Sequence, residues 1–169
     1  VDLVRFMSEL GKIGPYAPNK ARLIRRWQTF TPTTENMNLL RRGRVASAAE
    51  NPESFAWSAA YTKVSGEFPL DDLPKFIVWN GSEPLGVLRS QLDVTTAGKV
   101  KLKFNSVVGL TAWLGSTPLD LKDEIELDAK VGLQNLMLAV DLNKRKEPVR
   151  VELEDVVGSP ARVNIVTGK

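Results

Sequence analysis

The sequence contains no cysteine and no histidine among its 169 residues. Without these side chains it has no Ser/His/Asp or Cys/His nucleophile system, no thiolate or imidazole zinc site and no means of attaching haem covalently. No Gly-x-Gly-x-x-Gly motif joins a strand to a helix, so no dinucleotide site is predicted either. The composition therefore favours a non-catalytic module with no cofactor of its own.

Long apolar runs and extended basic stretches are also missing. No run approaches the length of a membrane span, so we expect no transmembrane segment. The first 50 residues carry nine basic and four acidic residues, whereas the remaining residues carry 14 and 16. Nucleic-acid binding requires a basic face with interleaved aromatics, and none follows residue 50, so we expect no nucleic-acid partner.

Two short helical patterns occur in the first third of the chain. Residues 2–10 place apolar side chains three and four positions apart, which predicts a helix. A second helix is predicted to begin after Thr33 or Thr34, since either suits an N-cap. The basic residues at its end are interpreted as a solvated helix C-terminus, where they interact favourably with the helix dipole. The alternative interpretation is that they form a binding patch for phosphate or acidic glycans. These residues are Arg41, Arg42 and Arg44.

The segments around the second helix predict extended chain and a connection. Residues 22–30 are predicted as one strand. Residues 46–53, which are mostly small and include a proline, are predicted as an irregular connection. Another extended segment, containing Trp57 and Tyr61, is expected after it.

From residue 76 onward, short segments with apolar residues at alternate positions are separated by turn residues. The predicted strands are 76–79, 87–94, 99–104, 110–114, 124–127, 136–142, 149–153 and 162–166. Period two is typical of antiparallel sheet with one wet face, and no interval could hold the helical crossovers of a parallel sheet. We therefore predict a mainly β fold, an antiparallel, jelly-roll-like β-sandwich with one or two short N-terminal helices. A closed barrel is the alternative. The expected core includes Leu102, Leu138, Val140, Val151 and Val163.

The N-terminal sequence resembles part of a known family. Residues 1–16, VDLVRFMSELGKIGPY, are similar to the final helix of a small c-type cytochrome domain in large, planctomycete-type membrane-bound dehydrogenase-like proteins. The triplet Arg25-Arg26-Trp27 continues that similarity.

The rest of the chain is similar in pattern to galactose-binding-like or PA14-like jelly-roll domains. The similarity consists of a strand beginning at Gly98-Lys99, a strand bearing Trp113 and an aliphatic strand ending at Val140-Asp141, in that order.

The first resemblance has implications for domain organisation and cellular context. It implies that residues 1–20 are the last helix of an upstream cytochrome-like domain plus a linker, and that residues 21–169 are a β-sandwich accessory domain. It also implies an extracytoplasmic location, an oxidoreductase as parent polypeptide, haem c in upstream domains, and those domains as partners. This chain lacks the Cys-x-x-Cys-His attachment motif, and Met7 is interpreted as a core residue and not as an axial ligand.

Aromatic residues on or beside predicted strands are the candidate ligand contacts. Exposed rings can stack on sugars while polar neighbours bond to hydroxyl groups, although burial in the core is the more common role of such aromatics. The candidates are Trp57, Tyr61, Trp79, Asn80 and Trp113. The function predicted from them is a non-catalytic accessory module that binds carbohydrate or docks protein.

Two sets of carboxylates keep other functions open. A pair for glycoside hydrolysis can be drawn from Asp71, Asp72, Glu83 and Asp141. Residues 120–128 offer a calcium site, against the favoured interpretation of a solvated loop with a charged edge strand. The carboxylates of that stretch are Asp120, Asp123, Glu124, Glu126 and Asp128. A purely structural packing domain is the third alternative.

Overall fold

A computed structural model describes residues 21–166 except 31, 44 and 78–83. The helix predicted for residues 2–10 and the domain boundary predicted at residue 20 involve residues outside this part of the chain. In chain order, the described elements are β1 (Ala21–Leu23), β2 (Arg26–Phe30), α1 (Thr34–Gly43), α2 (Ala46–Glu50), β3 (Trp57–Tyr61), β4 (Leu85–Thr96), β5 (Gly98–Phe104), β6 (Leu110–Leu114), β7 (Thr117–Leu119), β8 (Glu124–Ala129), β9 (Gly132–Asp141), β10 (Val151–Asp155) and β11 (Arg162–Ile165).

The strands form the predicted antiparallel β-sandwich. The small sheet has the order β1-β10-β5-β8, and the large sheet has the order β3-β2-β4-β9-β6-β7, with β11 also paired to β4. All of these pairings are antiparallel, and the longest register joins β4 to β9 over ten residue pairs. The two-layer fold that the period-two pattern indicated is therefore confirmed.

The segment 22–30 forms two strands and not the single strand that was predicted. β1 pairs with β10 in the small sheet, whereas β2 pairs with β3 and β4 in the large sheet. The chain crosses between the sheets at Ile24, which is fully buried and donates its backbone N–H to Val151 O at 3.0 Å. The local sequence pattern does not reveal this crossing, because the chain is extended on both sides of Ile24.

The main hydrophobic core lies between the sheets. Alternate residues of the long strands enter it, for example Leu88 and Leu92 of β4. Burial of one such side chain contributes about 1.5–3 kcal/mol before entropy is counted. The residues predicted to be buried are confirmed, with at most 4% exposure each: Leu102, Leu138, Val140, Val151 and Val163.

A second hydrophobic cluster lies on the outer face of the large sheet, beneath the helices. Phe30 is at its centre, with its ring centroid 5.3 Å from that of Phe55 and 5.2 Å from that of Phe76. The connection predicted as irregular in fact contains α2, whose Ala48 and Ala49 are buried in this cluster. Alanine favours helix locally, but a five-residue segment is too short to show the apolar periodicity that indicates one. Its small side chains let the helix pack closely on the sheet.

Helix α1 is fixed at its start and along its inner side. Thr33 Oγ1 accepts the Asn36 N–H at 3.1 Å, which confirms Thr33 as the N-cap. The buried Asn36 side chain also bonds Ala56 twice, accepting its N–H at 3.2 Å and donating to its carbonyl at 3.3 Å. These bonds connect the helix to the segment that enters β3.

Candidate functional site

The helices cover only one half of the large sheet's outer face, and the uncovered half is polar. We call this uncovered part the polar strip. It consists of Arg26, Gln28, Tyr61, Arg89, Gln91 and Asn135. The polar strip lies across four neighbouring strands, β3, β2, β4 and β9, so the sheet itself holds its side chains in place.

Strand alternation places these side chains together. In β4, Leu88 and Leu92 enter the main core, so Arg89 and Gln91 between them face outward. Gln28 is the register partner of Arg89, and Tyr61 is the register partner of Arg26. Next to this pair, Gln91 Nε2 donates to Asn135 Oδ1 at 3.2 Å. The result is an open array of amides, guanidinium groups and one phenol.

Arg89 is the most buried member of the polar strip, with 9% exposure. Its Nε donates to Gln28 Oε1 at 2.7 Å, and its Nη2 donates to the same oxygen. The guanidinium carbon lies 4.4 Å from the centroid of the Trp57 ring, within cation–π range. Burial, followed by the nearby charge of Arg26, lowers the pKa of Arg89 from its usual value.

Trp57 is held on several sides. Its ring meets Phe30 edge-on, with 5.9 Å between centroids, and its Nε1 donates to Pro52 O at 2.9 Å. With Arg89 also over the ring, Trp57 is half-buried at the boundary between the helical layer and the polar strip. Its packing favours a supporting role, in which it keeps the guanidinium group in position.

The other aromatic candidates differ in exposure. Tyr61 is 61% exposed and lies on the same face as Trp57, four residues further along β3. Trp113 of β6 also faces outward, but it is only 8% exposed, within the cluster beneath the helices. Trp79 and Asn80 lie outside the described residues. The structure thus brings three of the candidates to one sheet face and leaves Tyr61 as the most accessible of them.

Four polar members of the strip were not predicted as site residues. Gln28, Arg89, Gln91 and Asn135 belong to no motif. A pattern that indicates two of them exists in β4, where Arg89 and Gln91 occupy alternate positions between Leu88 and Leu92. It predicts a wet face, but it does not predict that polar residues from neighbouring strands will lie beside one another.

The acidic stretch 120–128 contributes to a charge ladder on the small sheet. Asp128 pairs with Lys99 at 3.1 Å, and Glu124 lies 3.6 Å from both Lys101 and Lys103. Lys103 also pairs with Glu154 at 3.3 Å, and this bond, with further nearby carboxylates, raises the pKa of Lys103. Within the described residues, no group of three or more acidic side chains is arranged to hold a metal ion.

The remaining predicted groups lie elsewhere. Asp71 and Asp72 are exposed on a short 3-10 turn, and Asp141 accepts the N–H groups of the turn that follows β9. Glu83 is outside the described residues, as is Arg44. Arg41 is exposed and bonds Asn38 of its own helix at 3.4 Å.

One cavity, of about 590 Å³, lies beside the loop between β10 and β11, lined by residues such as Arg22 and Pro160. None of the described aromatic candidates lines it. No helix in the described part of the chain has the length and apolarity needed to cross a membrane.

No protein-family model matches the sequence, and no curated protein is significantly similar to it. The described residues form an antiparallel β-sandwich with a partial helical layer, and the polar strip is its candidate binding surface.

Proposed function

We propose that the β-sandwich is a non-catalytic accessory module that binds carbohydrate on the polar strip. The observation that supports this most directly is the position of Tyr61, which presents an exposed ring on a sheet face lined with amide side chains. An aromatic ring offers an apolar surface to a sugar ring, while amides donate to and accept from its hydroxyl groups.

The construction of the face also supports binding without large rearrangement. Gln91 and Asn135 are bonded to each other, and Gln28 is bonded to Arg89, so these side chains are already oriented. Trp57 holds Arg89 in turn. A surface ordered before binding loses less conformational entropy when the ligand arrives.

Affinity electrophoresis of the full chain in gels containing neutral and acidic polysaccharides tests the proposal. We expect at least one polysaccharide to retard the protein, and Tyr61→Ala to weaken that binding about tenfold or more, equivalent to about 1.4 kcal/mol. Tyr61→Phe keeps the ring and should retain most of the affinity.

Val64→Ala is a matched control, since Val64 is 90% exposed just beyond the end of β3. Absence of retardation by every polysaccharide would contradict the proposal, as would unchanged binding by Tyr61→Ala. Release of reducing ends during incubation would instead support the alternative of a carboxylate-based hydrolase.

A further inference from the structure

The polar strip holds two guanidinium groups without a carboxylate partner. Within the described residues, neither Arg26 nor Arg89 forms an ion pair, and Arg26 Nε is buried without a hydrogen-bond acceptor. The opposite sheet differs, because each lysine of β5 is paired with an acidic side chain. Positive charge is therefore concentrated on the outer face of the large sheet.

This arrangement is electrostatically unfavourable in the free protein. Arg89 is 9% exposed, and the acceptor it bonds is the neutral amide oxygen of Gln28. A buried cation is stabilised when an anion balances its charge, and two neighbouring cations increase that need. An anionic group placed between the arginines would therefore gain more here than on an ordinary wet surface.

We infer that the polar strip selects acidic polysaccharides, with Arg26 and Arg89 binding the carboxylate of a uronic acid residue beside Tyr61. This inference rests on the proposed carbohydrate-binding function. Guanidinium groups match carboxylates geometrically through paired N–H donors. The adjacent phenol ring favours a ligand in which the carboxylate is attached to a sugar over a small free anion.

The same face argues against a densely charged chain such as a nucleic acid. Asp93, two residues beyond Gln91 in β4, is exposed on this face and adds a negative charge. Like charges repel, so a polymer with a charge on every phosphate would meet Asp93 as it extended along the strand. Double-stranded nucleic acid carries one charge per about 1.7 Å of helix axis, which is a denser charge than one carboxylate per sugar residue.

Calorimetric titration of the full chain tests the selectivity. The probes are oligomers of galacturonate, glucuronate and mannuronate, each compared with its methyl ester, which keeps the sugar and removes the charge. We expect one of the acids to bind at least tenfold more tightly than its ester, with an affinity that falls as salt is added. Arg26→Gln should weaken binding of the acid much more than binding of the ester, so that the preference for the acid is lost.

Arg25→Gln is the matched control. It removes the same charge from the neighbouring position, where the side chain is exposed and donates to Val64 O. Thermal melting shows whether each variant is folded. Arg89→Lys is a second test variant, because it retains the positive charge but loses the paired N–H donors of the planar guanidinium group. It should bind the acid less tightly than the wild type does.

The outcomes separate this inference from the proposed function. Equal binding of acid and ester would overturn the uronate inference and leave carbohydrate binding intact. Tighter binding of sulfated oligosaccharides than of any uronate would overturn the inference that the two arginines bind a carboxylate. If no acid, ester or neutral polysaccharide binds, both the inference and the proposed function fail.

Discussion

Arg145 is expected to be a main contributor to the stability of the sandwich. It is 1% exposed, and its guanidinium group bonds five acceptors in the loops that flank β6 and β10. The acceptors and distances are Ser106 O at 2.8 Å, Val108 O at 3.0 Å, Glu147 O at 2.9 Å, Pro148 O at 2.7 Å and Asn105 Oδ1 at 3.1 Å. Burial lowers the pKa of Arg145, and the charge of Glu147 opposes that effect.

Replacing Arg145 with Met keeps a long apolar stem and removes every donor. A hydrogen bond to a charged group contributes about 1.5–3 kcal/mol, and a buried acceptor left without a donor costs about 1–3 kcal/mol. Asn105 and Glu147 are exposed, so water can satisfy part of the loss, and the desolvation cost of the cation also disappears. We therefore expect the free energy of unfolding to fall by about 3–5 kcal/mol, a large share of a typical total of about 5–15 kcal/mol.

Urea denaturation and thermal melting measure this change. For a chain of this size, the expected loss corresponds to a melting temperature lower by roughly 6–20 °C. Lys146→Met is the control, because Lys146 is exposed and its Nζ is 3.4 Å from Leu142 O; its effect should stay within about 0.5 kcal/mol. A loss below about 1 kcal/mol for Arg145→Met would refute the reasoning, since it would mean that the loops close without the guanidinium group.

Two further predictions concern the helix cap and the charge ladder. Thr33→Ala should lower the free energy of unfolding, measured by urea denaturation, by about 1 kcal/mol because it removes the N-cap. Thr34→Ala is the control. Equal losses of stability in the two variants would contradict the assignment of Thr33 as the N-cap. The pKa of Lys103 is raised above its ordinary value of 10.5, so its charged form stabilises the folded state. This contribution is complete at pH values below 10.5 and is lost as the pH rises through the higher pKa of the folded state. Above pH 10.5, wild-type stability should therefore fall more steeply than that of Lys103→Met, and parallel pH curves would contradict this.

The sequence indicated most of the strands, much of the core and two candidate caps for α1. Alternation over β5 and β9 predicted their inward residues because a strand's side chains alternate faces wherever the strand lies. Thr33 was one of two predicted caps because a cap bonds the backbone only a few residues away. Such features depend on neighbours close in sequence, so local patterns carry them.

Only the tertiary structure decided which polar and aromatic residues meet. Residues 143–146 have the character of a solvated turn, yet Arg145 is buried while Lys144 and Lys146 are exposed. The reason is that three of its five acceptors belong to a loop about forty residues away. Trp113 and Tyr61 face the same side of one sheet, and they differ in exposure because the helices cover only the first of them. The pairing of Gln28 with Arg89 joins strands 61 residues apart, and such register depends on the packing of the whole sheet.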